Sequence, residues 1–213
     1  MEKPLTRGES KELTALRRDS ARSLRVLVRG TKWKVVRGTL FRDDNGWFVE
    51  VFPVVGRSVS GGPVFIAIQL CAKPMELDPL FWQLVELSEN NQHPLSFRAI
   101  GAWTCRTHAI AEAPLPIVVR SPEHVAKQII EWADELLEQN RRNLSLEQFI
   151  DHQRRPSHPH FAALATAPLI AGRFDEAASL ALQEQALRSG GHFVFNGKTV
   201  ASAVLDYVGS NAG

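Results

Sequence analysis

The stretch Lys34–Pro53, KVVRGTLFRDDNGWFVEVFP, decides the fold of this chain. Two runs rich in β-branched and aromatic residues flank Asp43-Asp44-Asn45-Gly46. Asn-Gly tolerates the positive φ angles of a tight hairpin turn, so we expect the two runs to pair as antiparallel strands. The second run, Trp47–Phe52, is apolar on nearly both of its faces. A strand of this kind is predicted to lie in the centre of a sheet, or to be covered by a helix as well as by the core.

Two more strands are predicted after this hairpin. Val64–Ala72 is an almost continuous apolar run, which is typical of an internal strand. Leu95–Cys105 alternates in the manner of a strand with one buried face, so it is predicted as the fourth strand. Ala113–Val119 contains prolines at two positions, which favours a connecting segment.

Helices are predicted on both sides of these strands. Between Glu9 and Val28 leucines recur at helical spacing and arginines cover the remaining surface, which predicts an amphipathic basic helix. Asp78-Pro79 is typical of an N-cap followed by proline at the first helical position, and Ser121-Pro122-Glu123 opens a strong helix. Further helices are expected from a capping box of Ser145 and Gln148 to about His152, and over His160–Ala171, Asp175–Ser189 and Lys198–Val208.

The order of the elements indicates an α+β protein, because strands and helices come first and helices alone follow. We expect a four-stranded, mainly antiparallel sheet covered by helices, and then a helical C-terminal half. Residues 1–140 are predicted to form the α+β domain. Residues 141–213 are predicted to form a helical extension or subdomain packed on it.

The net charge of +2 conceals an uneven distribution. Residues 1–42 hold 12 Lys and Arg against 4 Asp and Glu, a net charge of +8, and the remainder holds 13 against 19, a net charge of −6. The N-terminal part is therefore expected either to bind an acidic partner or to be covered by the acidic remainder of the chain. Which of these holds, and the oligomeric state, are left open by the sequence.

The cellular location is expected to be the cytoplasm. Cys71 and Cys105, the two cysteines, lie among apolar neighbours and form no disulfide framework, which fits a reducing compartment. The first residues, MEKPLTRGESKEL, lack the apolar segment of a signal peptide. The longest mainly apolar run, Pro63–Ala72, is half as long as a membrane span, so no membrane partner is expected.

Three patterns resemble catalytic or ligand sites but have simpler explanations. In Gly191–Thr199, five residues separate the first glycine from Gly-Lys-Thr, whereas a phosphate-binding loop needs four. His152, His158 and His160 surround a proline-containing linker without further metal ligands at suitable spacing. Cys105 and His108 are expected to point to opposite faces of a strand. We therefore expect no catalytic residue, no cofactor and no metal site.

The basic helix and the strand after it form the best candidate for a partner-binding surface. Arginines there could neutralise a row of phosphates, and a tryptophan could stack on a base. The same surface could bind an acidic protein. The candidate partner-binding residues are Arg17, Arg18, Arg22, Arg25, Arg29, Lys32, Trp33 and Lys34.

Residues 10–110 resemble a bacterial domain family of unknown function, which consists of small α+β proteins, some of them encoded near toxin genes. The resemblance rests on Leu24–Gly30 leading into Trp33–Phe41, on the Asp-Asn-Gly turn, on Trp47–Phe52, and on Asp78-Pro79-Leu80-Phe81-Trp82. It implies an α+β scaffold and a role in binding a protein partner, such as neutralising a toxin. It implies no site residue.

Three functions follow as expectations. The favoured one is a cytoplasmic, non-enzymatic protein-interaction module that binds or neutralises a partner protein. The alternative is a nucleic-acid-associated protein that uses the basic helix and first strand. The second alternative is a small-molecule enzyme with a site assembled from distant residues, near a deep pocket at the loop Gly56–Pro63.

Overall fold

The computed structural model describes residues 4–57, 59–155, 160–187, 194–195 and 197–211. Within these residues the chain forms two compact units. Unit 1 contains the segment up to Asp44 together with Phe48–Ala72 and Ala109–Arg142. Unit 2 contains Asn45–Trp47, Lys73–His108 and the described residues from Asn143 onwards.

The larger sheet is antiparallel and has five strands in the described part of the chain. The strands follow one another in space in their sequence order, so each pairs with its sequence neighbour. They are β1 (Lys34–Val36), β2 (Thr39–Asp43), β3 (Trp47–Arg57), β4 (Val64–Pro74) and β5 (Ala111–Pro116). The α+β class is confirmed, and the sheet has one strand more than the four that were predicted.

The predicted hairpin is confirmed, with β2 pairing antiparallel to β3. Asn45 and Gly46 have φ angles of 55° and 84°, the left-handed values that Asn-Gly tolerates. A second tight turn lies within the first run, because Arg37 and Gly38 also have positive φ angles, of 50° and 87°. This turn divides the predicted first strand into β1 and β2, which raises the number of strands.

The strand β5 was predicted as a connector because of its prolines, and the structure corrects this. The Ile117 N–H donates to Val64 O on β4. Backbone N–H groups alternate in direction along a strand, so the nitrogens of Pro114 and Pro116 face away from β4. Since β5 lies at one edge of the sheet, these nitrogens cost the sheet no hydrogen bond.

The predicted strand Leu95–Cys105 is wrong. Leu95–Arg98 forms a short helix, α3, and the chain then turns at Gly101 and Trp103, which have φ angles of 75° and 54°. Arg98 and Ala99 are buried three and four residues after Leu95, so this segment follows a helical period. Trp103 is held by Trp82, whose indole N–H donates to Trp103 O at 3.2 Å.

Unit 1 packs two long helices together, α1 (Arg7–Leu27) and α4 (Pro122–Asn140). Leu13 and Leu24 form part of the buried side of α1. The helix α4 begins as predicted, because the Ser121 hydroxyl accepts the His124 N–H at its N-terminus. Its buried residues are Val125, Ala126, Ile129, Ala133 and Leu137.

Unit 2 is mainly helical and has its own apolar core. Leu77, Phe149 and Val204 are among the residues of that core. Of the capping box predicted for Ser145 and Gln148, the structure shows the Ser145 half, in which the Ser145 hydroxyl accepts the Gln148 N–H. Besides α3, the helices of unit 2 are α2 (Leu77–Leu84), α5 (Leu146–Arg154), α6 (Phe161–Ile170), α7 (Phe174–Ala186) and α8 (Val200–Asn211).

The chain also contains short 3-10 helices at Ser88–Gln92 and Arg141–Asn143. A small two-stranded sheet consists of β6 (Val194–Phe195) and β7 (Lys198–Thr199).

Asp78 is not the N-cap that its sequence context predicts. Glu76 occupies the N-cap position of α2, and the helix begins at Leu77. Asp78 lies in the first turn and is completely buried, with Lys73 and Arg98 close to its carboxylate. These ionic contacts inside unit 2 therefore hold the Asp78 carboxylate in place of a local capping bond.

Candidate functional site

The helix α1 is anchored at its N-terminus by a capping box that the sequence reading missed. The Thr6 hydroxyl accepts the Glu9 N–H, and the Glu9 carboxylate accepts the Thr6 N–H at 2.8 Å. The same carboxylate accepts bonds from the Gly61 N–H at 2.6 Å, the Ser60 hydroxyl at 2.7 Å and Arg57 Nη1 at 3.0 Å. The bonds from the Gly61 and Thr6 N–H groups, and then those from the Ser60 and Thr6 hydroxyls, hold the pKa of Glu9 well below its ordinary value.

The exposed side of α1 carries a row of cations that we call the basic stripe. Successive members on the helix are separated by three, four or seven residues, so they lie within about 60° of one another around its axis. Thr14 lies in the longest gap. The row is about 30 Å long at 1.5 Å per residue, and its last member lies in the turn after the helix. The basic stripe consists of Arg7, Lys11, Arg18, Arg22, Arg25 and Arg29, all of them exposed.

Most of the positive charge of the basic stripe is left without a counter-ion inside unit 1. Arg18 and Arg22 lie near Asp19 on the same helix, and their side chains remain 62% and 71% exposed. Among the described residues of unit 1, no carboxylate lies within ion-pair distance of Arg25 or Arg29. Exposed pairs such as Arg18–Asp19 are screened by solvent and exchange readily for another anion.

Trp33 is separated from this surface although the sequence placed it there. Its ring is only 2% exposed, and its indole N–H donates to Asp134 Oδ1 at 2.9 Å. Arg42 covers the ring and pairs with Asp134 and with the buried Asp44. The ring is therefore not accessible to a nucleic-acid base in this structure.

The other candidate residues divide into two groups. Arg17 lies beside the stripe, and its Nε donates to Val55 O at 2.6 Å, so its head group is fixed against β3. Lys32 and Lys34 are exposed, before and at the start of β1.

Arg7 and Lys11 are the members of the basic stripe that the sequence analysis did not include among the candidate residues. The capping box of Thr6 and Glu9 was the signal that would have extended the helix to Arg7, whereas Lys11 already lay within the predicted helix.

Cys105 and His108 do not form a nucleophile and base in this structure. Burial raises the pKa of the Cys105 thiol well above its ordinary value, and nearby Asp78 raises it further. The His108 ring stacks instead on His160, with 4.4 Å between the ring centroids. A buried thiol whose pKa is raised lacks the thiolate that nucleophilic catalysis needs.

A second group of charges lies buried inside unit 2. The Lys73 ammonium donates to Asp78 Oδ1 and to Cys105 O, each at 2.9 Å, and also lies against the Thr104 hydroxyl. The Cys105 N–H donates to Asp78 Oδ1 at 2.7 Å. Since Lys73 and Asp78 are 2% and 0% exposed, these bonds join chain segments in the interior of unit 2.

The described residues contain no group of three or more His, Cys, Asp and Glu side chains placed to hold a metal ion. His152 and His160 are described, whereas His158 lies outside the described residues. Much of Gly191–Thr199 also lies outside them, including Gly191 and Asn196.

In the described part of the chain, every helix is too short or too polar to cross a membrane. The resemblance of residues 10–110 to a bacterial α+β family stays a prediction. Comparison of the chain with protein-family models, curated proteins and solved structures gives no match.

Proposed function

We propose that this protein binds double-stranded nucleic acid through the basic stripe, without reading base sequence. The observation that carries the proposal is the row of exposed cations along one side of α1, of which Arg25 and Arg29 have no counter-ion among the described residues of unit 1. Phosphates are the natural partners of such a row, because guanidinium groups bind them with charge-assisted hydrogen bonds. Contacts of this kind position a protein on nucleic acid independently of sequence.

The burial of Trp33 supports a duplex rather than a single strand. Proteins that bind single strands combine a positive groove with aromatic side chains on which bases stack. The ring of Trp33 is covered by Arg42 and cannot serve in that way here. Cations without an aromatic platform fit the regular phosphate backbone of a duplex better.

The composition of the stripe also favours nucleic acid over a protein partner. Protein interfaces obtain most of their affinity from apolar and aromatic side chains that become buried. Among the large apolar side chains of α1, which is described throughout, Val26 alone is exposed, at 60%. An acidic protein partner, as in the protein-interaction hypothesis, is the competing result that the experiment must distinguish.

The experiment measures binding of a fluorescently labelled 20-base-pair DNA by anisotropy at low salt. The Arg18→Ala, Arg22→Ala, Arg25→Ala triple variant should bind roughly tenfold or more weakly, because three phosphate contacts are lost. The matched control replaces Arg120, Arg142 and Arg155 by alanine, which removes the same charge from exposed positions outside α1. That variant should bind almost like the original protein.

Two further probes decide the class of partner. A single strand of the same length should bind more weakly than the duplex. Polyglutamate of equal charge should compete poorly. If polyglutamate binds as well as the duplex, or if both triple variants lose affinity equally, the nucleic-acid proposal is contradicted.

A further inference from the structure

A cleft in unit 1, distinct from the basic stripe, has the features of a small-molecule site. Its volume is about 380 Å³, within the usual range for ligand pockets. It is lined by α1, by the turn between β1 and β2, by β3 and by Ile129 of α4. We call it the α1 cleft. It is lined by Phe52–Val55, just before the loop at which a pocket was expected from the sequence.

The walls of the α1 cleft are mostly apolar, and the charged groups that line it all have the same sign. Leu24, Phe52 and Ile129 are among the apolar lining residues. Arg17 and Arg37 are the charged ones, and none of the described lining residues is acidic. A ligand that suits these walls has a compact apolar body and a negatively charged end.

Ser20 provides an independent indication of a missing polar partner. It lines the cleft, is 2% exposed, and its hydroxyl has no hydrogen-bond partner among the described residues. A buried hydroxyl left without a partner costs about 1–3 kcal/mol. A ligand oxygen in the cleft would remove this cost.

The position of Arg17 is fixed in a way that suits an oxyanion. Its Nε bonds to Val55 O, so the plane of the guanidinium is held at the wall of the cleft. Its two terminal amino groups make no hydrogen bond or ion pair with any described residue. Arg37 lies in the turn of the β1–β2 hairpin with a φ angle of 50°, and Thr39, which follows this turn, also lines the cleft.

We propose that the α1 cleft binds a small organic oxyanion, a carboxylate or phosphate attached to a compact apolar group. Arg17 and Arg37 would bind the charged end with Ser20 as a further donor, while Leu24, Phe52 and Ile129 would cover the apolar body. This site does not depend on the binding of nucleic acid, since the residues that line the cleft are not members of the basic stripe.

Ligand-observed NMR with phenylacetate, phenyl phosphate and the uncharged phenylacetamide tests the proposal. One or both anions should bind, and the pair shows which head group the site prefers. Phenylacetamide should bind about tenfold more weakly or not at all, because charge-assisted bonds to the guanidinium groups are lost. Equal binding of the amide, or absence of binding by both anions, overturns the proposal.

Variants separate this site from the basic stripe. The Arg17→Gln, Arg37→Gln double variant should weaken binding of the preferred anion about tenfold or more, and Ser20→Ala should weaken it to a smaller extent. The control double variant, Arg18→Gln with Arg22→Gln, removes the same charge from α1 outside the cleft and should keep anion binding while losing DNA affinity. An equal loss of anion binding in both double variants contradicts a defined site. Thermal melting of each variant shows whether it has folded.

Discussion

The guanidinium of Arg42 lies over the ring of Trp33, 4.5 Å from its centroid, and both side chains donate to the same carboxylate oxygen of Asp134. Asp134 belongs to α4, so this arrangement ties the segment before β1 and the strand β2 to that helix. Arg42 also pairs with Asp44, which in turn accepts from Arg141 at 2.7 Å. Trp33 therefore stabilises the interior of unit 1 and does not form part of its outer surface.

The Trp33→Phe variant tests this assignment. It keeps an aromatic ring beneath Arg42 but loses the indole N–H, so the free energy of unfolding should fall by about 1.5–3 kcal/mol, the usual range for a bond to a charged group. Urea denaturation measures this change. DNA affinity should stay the same within a factor of about two. A variant that is fully stable but has lost DNA affinity would place Trp33 in the binding surface.

The Asp78→Ala variant should destabilise the protein strongly. Removing the carboxylate leaves the Lys73 and Arg98 charges buried beside one another without their anion, which typically costs about 3–5 kcal/mol. The control is Asp151→Ala, whose side chain is 61% exposed and whose loss should change stability by less than about 0.5 kcal/mol. Similar midpoints of chemical denaturation for the two variants would show that the buried charges do not hold unit 2 together.

Glu9 makes the start of α1 sensitive to acid. Its pKa is lower in the folded than in the unfolded protein, so its contribution to stability is complete above the unfolded value of about 4.3. The contribution declines as the pH falls below that value towards the folded pKa. Hydrogen exchange of the first turn of α1 should therefore accelerate in acid, and Glu9→Gln should exchange fast at neutral pH as well. The exposed Glu12→Gln should behave like the unaltered protein; equal exchange in the two variants would remove Glu9 as the anchor.

His160 is expected to make the stability of unit 2 depend on pH, in a range above the one in which Glu9 acts. Burial, the neighbouring His108 and the charge of Arg106 lower the pKa of His160 in the folded protein. Below the unfolded pKa of about 6.5, the unfolded chain takes up a proton that folded His160 resists, so stability should rise with pH up to that value. Thermal melting between about pH 5 and 7 should show this rise in the original protein and less of it in His160→Gln. An identical profile in both proteins would contradict the assignment.

The parts of the fold that the sequence predicts well are those decided by neighbouring residues. Asn45-Gly46 gives the hairpin because these two residues themselves adopt the positive φ angles, and Ser121 caps α4 by bonding three residues along the chain. The cations of the basic stripe share one side of α1 because their spacing in the sequence is helical, although the sequence left open whether that side is exposed. Each of these features needs no information from a distant segment.

The parts that sequence reasoning missed depend on partners far along the chain. The prolines of β5 are tolerated because that strand is at the edge of the sheet, which the strand order decides. Trp33 is covered by Arg42 and donates to Asp134, and the carboxylate of Asp78 is paired with Arg98 as well as with the nearby Lys73. The α1 cleft likewise combines residues of α1, β3 and α4, so no local pattern could indicate it.

The most direct test of nucleic-acid binding is the salt dependence of affinity for duplex DNA. If the six cations of the basic stripe all neutralise phosphates, the logarithm of the binding constant should fall with the logarithm of salt concentration with a slope of about −5. The Arg18→Ala, Arg22→Ala, Arg25→Ala variant should have a slope shallower by about 2.7, while the Arg120, Arg142, Arg155 variant keeps the original slope. Absence of binding at low salt, or equal slopes in all three proteins, would contradict a role for the basic stripe in binding nucleic acid.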